Sequence, residues 1–236
     1  MICIPSSITE VEKRAVRDSA EQAGAKEVYL IHEPMAAALG IGIDVEEPVG
    51  NMIIDIGGGT TGITVIALAG IVCDQSIRIA GDEFTADIME ALRRYHSLLI
   101  GERTAEQIKI QVGAAMKDLD NPPDDIPVNG RDLVTGIPKQ VMVSYQEVAE
   151  ALDKSIFKIE EAILKALETT PPELASDIYR RGLYITGGGA LLRGLDKRLN
   201  AKIKLPVHVA DDPLKSVVRG TGIALKHYDR YPFVMR

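Results

Sequence analysis

At 236 residues with a formal net charge of −7 and a pI near 5.2, the chain has length for one large domain or two small ones and is too acidic for a general nucleic-acid binder. Hydrophobic residues at 46% against 26% charged describe a globular chain, and aromatics at 4% with no Trp make its core aliphatic. Cys3 and Cys73 are too isolated for a disulfide framework or a metal site, which suits a reducing cytoplasm, and His32, His96, His208 and His227 show no ligand spacing.

No apolar run approaches the roughly 18 residues of a membrane span, and no basic leader precedes one. Met1-Ile2-Cys3-Ile4-Pro5 opens directly as a strand, so the chain reads as a fragment that starts inside a domain. Thr9 with Glu12 forms a capping box and Gly24 a stop, which predicts a helix over Glu10–Gly24. Lys26–Ile31 reads as a strand. His32-Glu33-Pro34 follows, and Met35–Gly40 reads as a short helix opened by Pro34. Glu33 then stands at the carboxyl end of a strand, where α/β sheets place their chemistry, although a lone Glu there is as readily a turn residue.

Asp44–Gly50 is a polar link and a candidate boundary. Strands are predicted over Asn51–Ile56, Ile63–Ala69 and Ile71–Ile79, with a hairpin turn at Ala69-Gly70. Between the first two strands lies Asp55-Ile56-Gly57-Gly58-Gly59-Thr60-Thr61, a buried strand that ends in a glycine turn. Backbone amides approach a polyphosphate closely only where no Cβ intervenes, glycine tolerates the positive φ such a turn can need, and Thr60 and Thr61 offer hydroxyls. Asp55 at the strand mouth can hold a hydrated magnesium ion. An ordinary hairpin turn is the plain alternative.

Helices follow over Asp82–His96, with Phe84, Ile88, Met89 and Leu92 on the core face, and over Thr104–Leu119, with Ile108, Val112 and Met116 spaced four apart. Glu106 and Lys109 share one face of the second, which by itself reads as a surface ion pair. Strands over Asp125–Arg131 and Lys139–Ser144 flank the turn Gly136-Ile137-Pro138, and a long helix runs over Tyr145–Glu168 until Thr169-Thr170-Pro171-Pro172 stops it. The last third returns to α/β: strand Leu183–Thr186, glycine turn Gly187–Gly189, helix Ala190–Leu199, strand Val207–Val209 and helix Ser216–Lys226. Tyr231–Val234 is a loose tail or a packing strap.

Two units of strand followed by triple glycine are more specific than one. Neither is a Walker loop or a G-x-G-x-x-G turn, which leaves the clamshell nucleotide fold. The runs His32–Ala38, Asp55–Thr61, Gly101–Lys109, Pro171–Ala175 and Thr186–Arg193 resemble the MreB family of bacterial actin homologues, and the likeness runs to about Lys226.

The resemblance implies an α/β actin-like ATPase fold with ribonuclease-H-like halves and an incomplete first domain. It divides the chain into 1–48 (a remnant of the first domain), 49–102 with 168–226 (the second nucleotide-binding domain), 103–167 (an inserted small subdomain) and a tail, 227–236. It also implies ATP and magnesium as ligands. In the cytoplasm, at the inner face of the cell membrane, it implies filaments with membrane-bound cell-shape and wall-synthesis partners, and no nucleic acid.

Carried over residue by residue, Asp55 matches the carboxylate near magnesium, Gly57–Thr61 the phosphate loop, and Glu33 the glutamate that activates water with Thr60 beside it. Glu106, Gln107, Ile108 and Lys109 match the ribose and adenine side, and Gly187, Gly188, Gly189, Ala190 and Leu191 the adenosine loop. Gly62 stands where the family commonly has Glu. The first phosphate hairpin, the amphipathic amino-terminal helix and an apolar membrane loop are not in the sequence, so weak ATP binding and slow hydrolysis are expected of this chain alone. The rival readings are a nucleotide-silent module that docks on filaments and a small-molecule kinase, the latter requiring a polar cluster on the cleft that the sequence does not reveal.

Overall fold

The computed structural model describes residues 1–236 and contains three sheets. The first is small. Strand β1 (Ile2–Ile4) pairs in parallel with β2 (Leu30–His32), and between them α1 (Glu10–Gln22) starts at the Thr9/Glu12 capping box. Helix α2 (Glu33–Gly40) leaves β2 directly, and every residue from Pro34 to Gly40 is buried.

The second sheet holds the centre of the molecule. Strands β3 (Asn51–Ile56), β4 (Thr61–Ala67) and β5 (Gly70–Ile77) form an antiparallel meander. Strands β9 (Leu183–Thr186) and β10 (Val207–Val209) add in parallel on the other side of β3, giving the order β10-β9-β3-β4-β5. Met52, Ile53, Ile54 and Ile56 are all buried, as a central strand covered on both faces requires. The turn between β4 and β5 lies at Leu68-Ala69, both with positive φ (50° and 57°), one residue earlier than the Ala69-Gly70 turn expected. Leu68 N–H donates to Glu47 O and Ala69 N–H to Val45 O, which supports a conformation usually left to Asn and Gly.

Between these halves of the sheet the chain runs through α3 (Gly81–His96), β6 (Leu98–Leu99), α4 (Glu102–Val112), β7 (Ile126–Asp132), β8 (Pro138–Val143), α5 (Tyr145–Thr169) and α6 (Pro172–Arg181). Strands β6, β7 and β8 form the third sheet, antiparallel throughout. The stripe Val148, Leu152, Ile156, Ile159 and Ile163 of α5 is fully buried in the largest core cluster, together with Phe84, Ile88 and Leu92 of α3.

Four expectations need correction. The strand expected over Lys26–Ile31 is the three-residue β2. Helix α4 stops at Val112, short of Leu119, because Gly113 turns to extended backbone and Ala114 bridges Arg193. The helix expected over Ala190–Leu199 is a 3-10 turn, Gly188–Leu191, followed after Gly194 by α7 (Leu195–Ile203). Pro172, expected only to stop α5, also opens α6, as proline at the first helical position can.

The chain closes with α8 (Ser216–Lys226), which crosses α2 at van der Waals contact, and then straps back. Leu30 and Met235 exchange both backbone hydrogen bonds and Tyr231 is buried, so the carboxyl end is a packing strap. The α2–α8 crossing is glycine-dependent. A Cβ on Gly220 would lie 1.7 Å from Ala36 O, and one on Gly40 1.8 Å from Ser216 O. Two residues on, on the opposite face of α8, a Cβ on Gly222 meets nothing within 4 Å. Urea denaturation should therefore show Gly220→Ala destabilised by about 3 kcal/mol and Gly222→Ala neutral or more stable by about 0.5–1 kcal/mol; equal effects would refute the crossing.

Candidate functional site

Strand β3 delivers Asp55 and the loop Gly57–Thr60 to one end of the central sheet, and β2 delivers Glu33 to the same place. Glu33, Asp55, Gly57, Gly58 and Thr60 share a cleft of about 700 Å³ with Ser6 and Ser7 from the loop after β1. Gly62, Thr64, Asp74 and Ser76 of β4 and β5, with Arg78 just after β5, line another wall. That wall is polar, in contrast to the expectation that no polar cluster faces the cleft. The alternation of strands β4 and β5 conceals it, because each apolar run carries its polar residues on the opposite face.

The loop is tied down from behind. Gly57 N–H donates to Thr60 O, and the first amides of α3, Gly81 N–H and Asp82 N–H, donate to Gly57 O and Gly58 O. The amides of Gly58 and Gly59 have no protein acceptor, and both residues are exposed. None of Gly57, Gly58 and Gly59 has positive φ, so backbone freedom is not their reason. Nor is internal crowding: added Cβ atoms would come no closer than 3.4 Å to anything, with the Asp82 carboxylate 3.6 Å from Gly58. Open space over unpaired amides is a cradle for an anion that approaches from outside.

The second glycine turn has the opposite cause. A Cβ on Gly187, whose φ is +82°, would stand 2.4 Å from Asp55 Oδ1, and one on Gly189 2.2 Å from Ile56 Cγ2. These glycines let the Gly187–Leu191 segment lie against β3. The two turns are thus side by side, with Asp55 paired to Thr186 in register. Ala190 is buried, while Leu191 is 56% exposed.

Two residues leave the set that can face a ligand. Thr61 is fully buried and its hydroxyl donates to Ile79 O at 2.7 Å, so it fixes the strand rather than offering a hydroxyl. Ile108 lies in the core, and Gln107 is exposed away from it. Glu106 and Lys109 are an ion pair at 2.6 Å, with the lysine largely covered and the carboxylate about half exposed. The Lys109 ammonium donates also to Gly81 O at 2.7 Å and Thr85 Oγ1 at 3.0 Å, which exhausts its three protons. Burial pushes the Glu106 carboxyl up, and the hydrogen bonds from Lys109 and Thr85 outweigh that and hold it below the usual range. The pair therefore fastens α4 to the first turn of α3, beside the cradle, and neither residue lines the cavity that holds Glu33 and Asp55. Gly81, Asp82 and Thr85 went unrecognised in the sequence. A Gly-Asp pair opening a helix straight after a strand is the signal that could have found them.

The electrostatics of the cleft are unbalanced. Burial, and then the Glu33 charge, push the Asp55 carboxyl from 3.8 up to about 6. Burial raises Glu33 as well, and neither carboxylate accepts a hydrogen bond from the protein. Unpaired, partly buried carboxylates fit a cation between them. No group of three or more His, Cys, Asp or Glu gathers for a metal, so such an ion would complete its shell with water and phosphate oxygens.

The MreB/Mbl protein family profile matches residues 1–232. The chain belongs to that family. It is 48% identical over 232 residues to the cell shape-determining protein Mbl of Bacillus subtilis, covering 98% of this chain and 69% of that one. It is 49% identical over 234 residues to the cell shape-determining protein MreB of Escherichia coli, covering 98% of this chain and 66% of that one. The crystal structure of MreB5 of Spiroplasma citri bound to ADP superposes with a TM-score of 0.93 at 39% identity, over 97% of this chain and 69% of that one. A MamK double helical filament subunit superposes with a TM-score of 0.77 at 24% identity, over 98% of this chain and 70% of that one, a likeness of fold. The fold is actin-like, and the chain spans about two thirds of the length of these relatives.

The cradle and the packing glycines separate by mutation. Gly189→Ala should lose about 2–3 kcal/mol in urea denaturation, whereas Gly58→Ala should stay within about 1 kcal/mol of the parent; a reversed order would refute the assignment. Asp55 holds its proton more tightly folded than unfolded, so its ionisation costs nothing below about pH 4 and its full amount above about pH 7. In metal-free buffer Asp55→Asn should gain about 2–3 kcal/mol over the parent between those limits. A difference that does not change with pH would contradict a buried, unpaired Asp55.

Proposed function

We propose that this chain is the nucleotide-binding body of an ATP-dependent, filament-forming cell-shape protein. The observation that carries the proposal is the pair of free, exposed amides at Gly58 and Gly59, the first lining the cleft that also holds the unpaired carboxylates of Glu33 and Asp55. The amides and the Thr60 hydroxyl hold phosphate oxygens. Asp55 would hold a magnesium ion through water, and such an ion would supply neutralisation of phosphate charge. Glu33 orients the attacking water and accepts its proton, for which a carboxyl raised by burial is suited. Glu106 and the Gly187–Leu191 segment lie on the adenosine side, and ADP bound to the Spiroplasma relative supports a nucleotide there.

The proposed organisation follows the sheets. Residues 1–48 belong to a first actin-like domain, 49–102 with 168–226 to the second, 103–167 to a small subdomain and 227–236 to a tail. Support comes from the central sheet, built by 51–77 and 183–209, and from strands β7 and β8 of the separate third sheet, whose short first strand β6 lies just before the boundary at 98–99. The protein self-associates into filaments, as the related MamK does, and works at the cytoplasmic face of the cell membrane with wall-synthesis partners. No helix of this chain is long and apolar enough to cross a membrane. The polar wall Thr64–Arg78 would admit a kinase substrate, but membership of a cell-shape family outweighs it.

With magnesium and ATP, Glu33→Gln should bind nucleotide as the parent does and release phosphate about 10²-fold more slowly. Calorimetry and a phosphate-release assay check this. Unchanged release would contradict the role of Glu33, and absence of ATP binding by the parent would contradict the reading as a whole.

A further inference from the structure

The adenosine side of the proposed site has two walls from distant parts of the chain: α4, which carries Glu106, and the 3-10 turn Gly188–Leu191. They are joined at one place. The Arg193 guanidinium donates from Nη1 to Ile110 O at 3.4 Å and Gly113 O at 3.3 Å, carbonyls at the carboxyl end of α4. Its own carbonyl accepts Ala115 N–H at 2.8 Å, and Ala114 and Arg193 form a parallel bridge. A cation at that end of a helix satisfies carbonyls without intrahelical donors and meets the negative pole of the helix dipole. The junction has no slack. A Cβ on Gly113 would lie 2.1 Å from Lys109 O and 3.0 Å from Leu192 Cδ1.

Behind it a second arginine locks the joint to the small subdomain. Arg198 Nη1 donates to Ala115 O at 2.9 Å, and its Nε pairs at 2.6 Å with Glu160, a carboxylate of α5 that is 3% exposed. Arg198 thus anchors the segment after α4, while Arg193 ties α4 itself to the turn that flanks β3.

We infer that Arg193 is a positioning residue that sets the width of the nucleoside slot by holding the carboxyl end of α4 against the segment after the Gly188–Leu191 turn. It touches neither phosphate nor metal, and it rests on the nucleotide reading of the site. Its loss therefore falls on nucleoside binding and spares the phosphate cradle, which stands on β3 and α3.

The test compares Mg-ADP with magnesium pyrophosphate by calorimetry on the parent, Arg193→Ala and Arg193→Lys. Arg193→Ala should weaken ADP by about tenfold, the scale of one charged hydrogen bond, with pyrophosphate unchanged. Arg193→Lys, which can still donate to one carbonyl, should recover most of the loss. Equal weakening of both ligands, or of neither, overturns the inference.

Hydrogen exchange without ligand separates this from the larger reading. Arg193→Ala should speed exchange at both 110–115 and 188–192 and leave α1 as in the parent. If the parent binds neither ligand, the nucleotide reading falls by itself. Unchanged exchange at the two segments removes the coupling whatever the binding result.

Discussion

The parallel pairing of β3 with β9, in register from Met52 with Leu183 to Asp55 with Thr186, is the constraint on which the rest of the site depends. It forces the segment after β9 against the end of β3, so that only glycine fits at 187 and 189. With that flank closed, the loop after β3 is pushed to the other side, where α3 takes the carbonyls of Gly57 and Gly58 and leaves the amides of Gly58 and Gly59 free. One register thus produces both a packed turn and an open one. A slip of a single residue would reverse every side chain of β3 and bury Asp55 in the aliphatic core.

The second constraint is electrostatic. Asp55 and Glu33 come from different sheets and meet in a cleft with no cation among their hydrogen-bond partners, so folding places like charges together at a cost. A protein selected for stability alone would replace one of them. Two such carboxylates side by side are the kind of local cost that binding sites carry, and a bound cation would reverse it. Gly62, paired with Asp55 across β3 and β4, adds to the openness: a Cβ there would meet nothing within 4 Å.

Much of this was readable in the sequence, and the exceptions share a cause. Strands β3, β9 and β10 and helix α8 were recognised to the residue, because each combines an apolar run with a nearby turn or cap. The capping boxes at Thr9 and Ser144 fix the starts of α1 and α5. By contrast, local pattern carries α4 seven residues too far, to Leu119, because Met116 continues its apolar period while Ala114 and Ala115 are recruited by Arg193, which lies far along the chain. Thr61 shows the same limit: its hydroxyl suits a phosphate in sequence, and only the position of Ile79 shows it to be spent. Local pattern specifies elements and candidate side chains. Which polar group is already satisfied is decided by partners far away in sequence.

The account makes the glycine cradle a place where backbone meets phosphate. Amide NMR during titration with Mg-ADP tests this most directly. The account predicts that the Gly58 and Gly59 resonances move first and furthest, with Glu106 and Gly188–Leu191 following. Saturable shifts confined to other surfaces, with Gly58 and Gly59 unmoved, would contradict it.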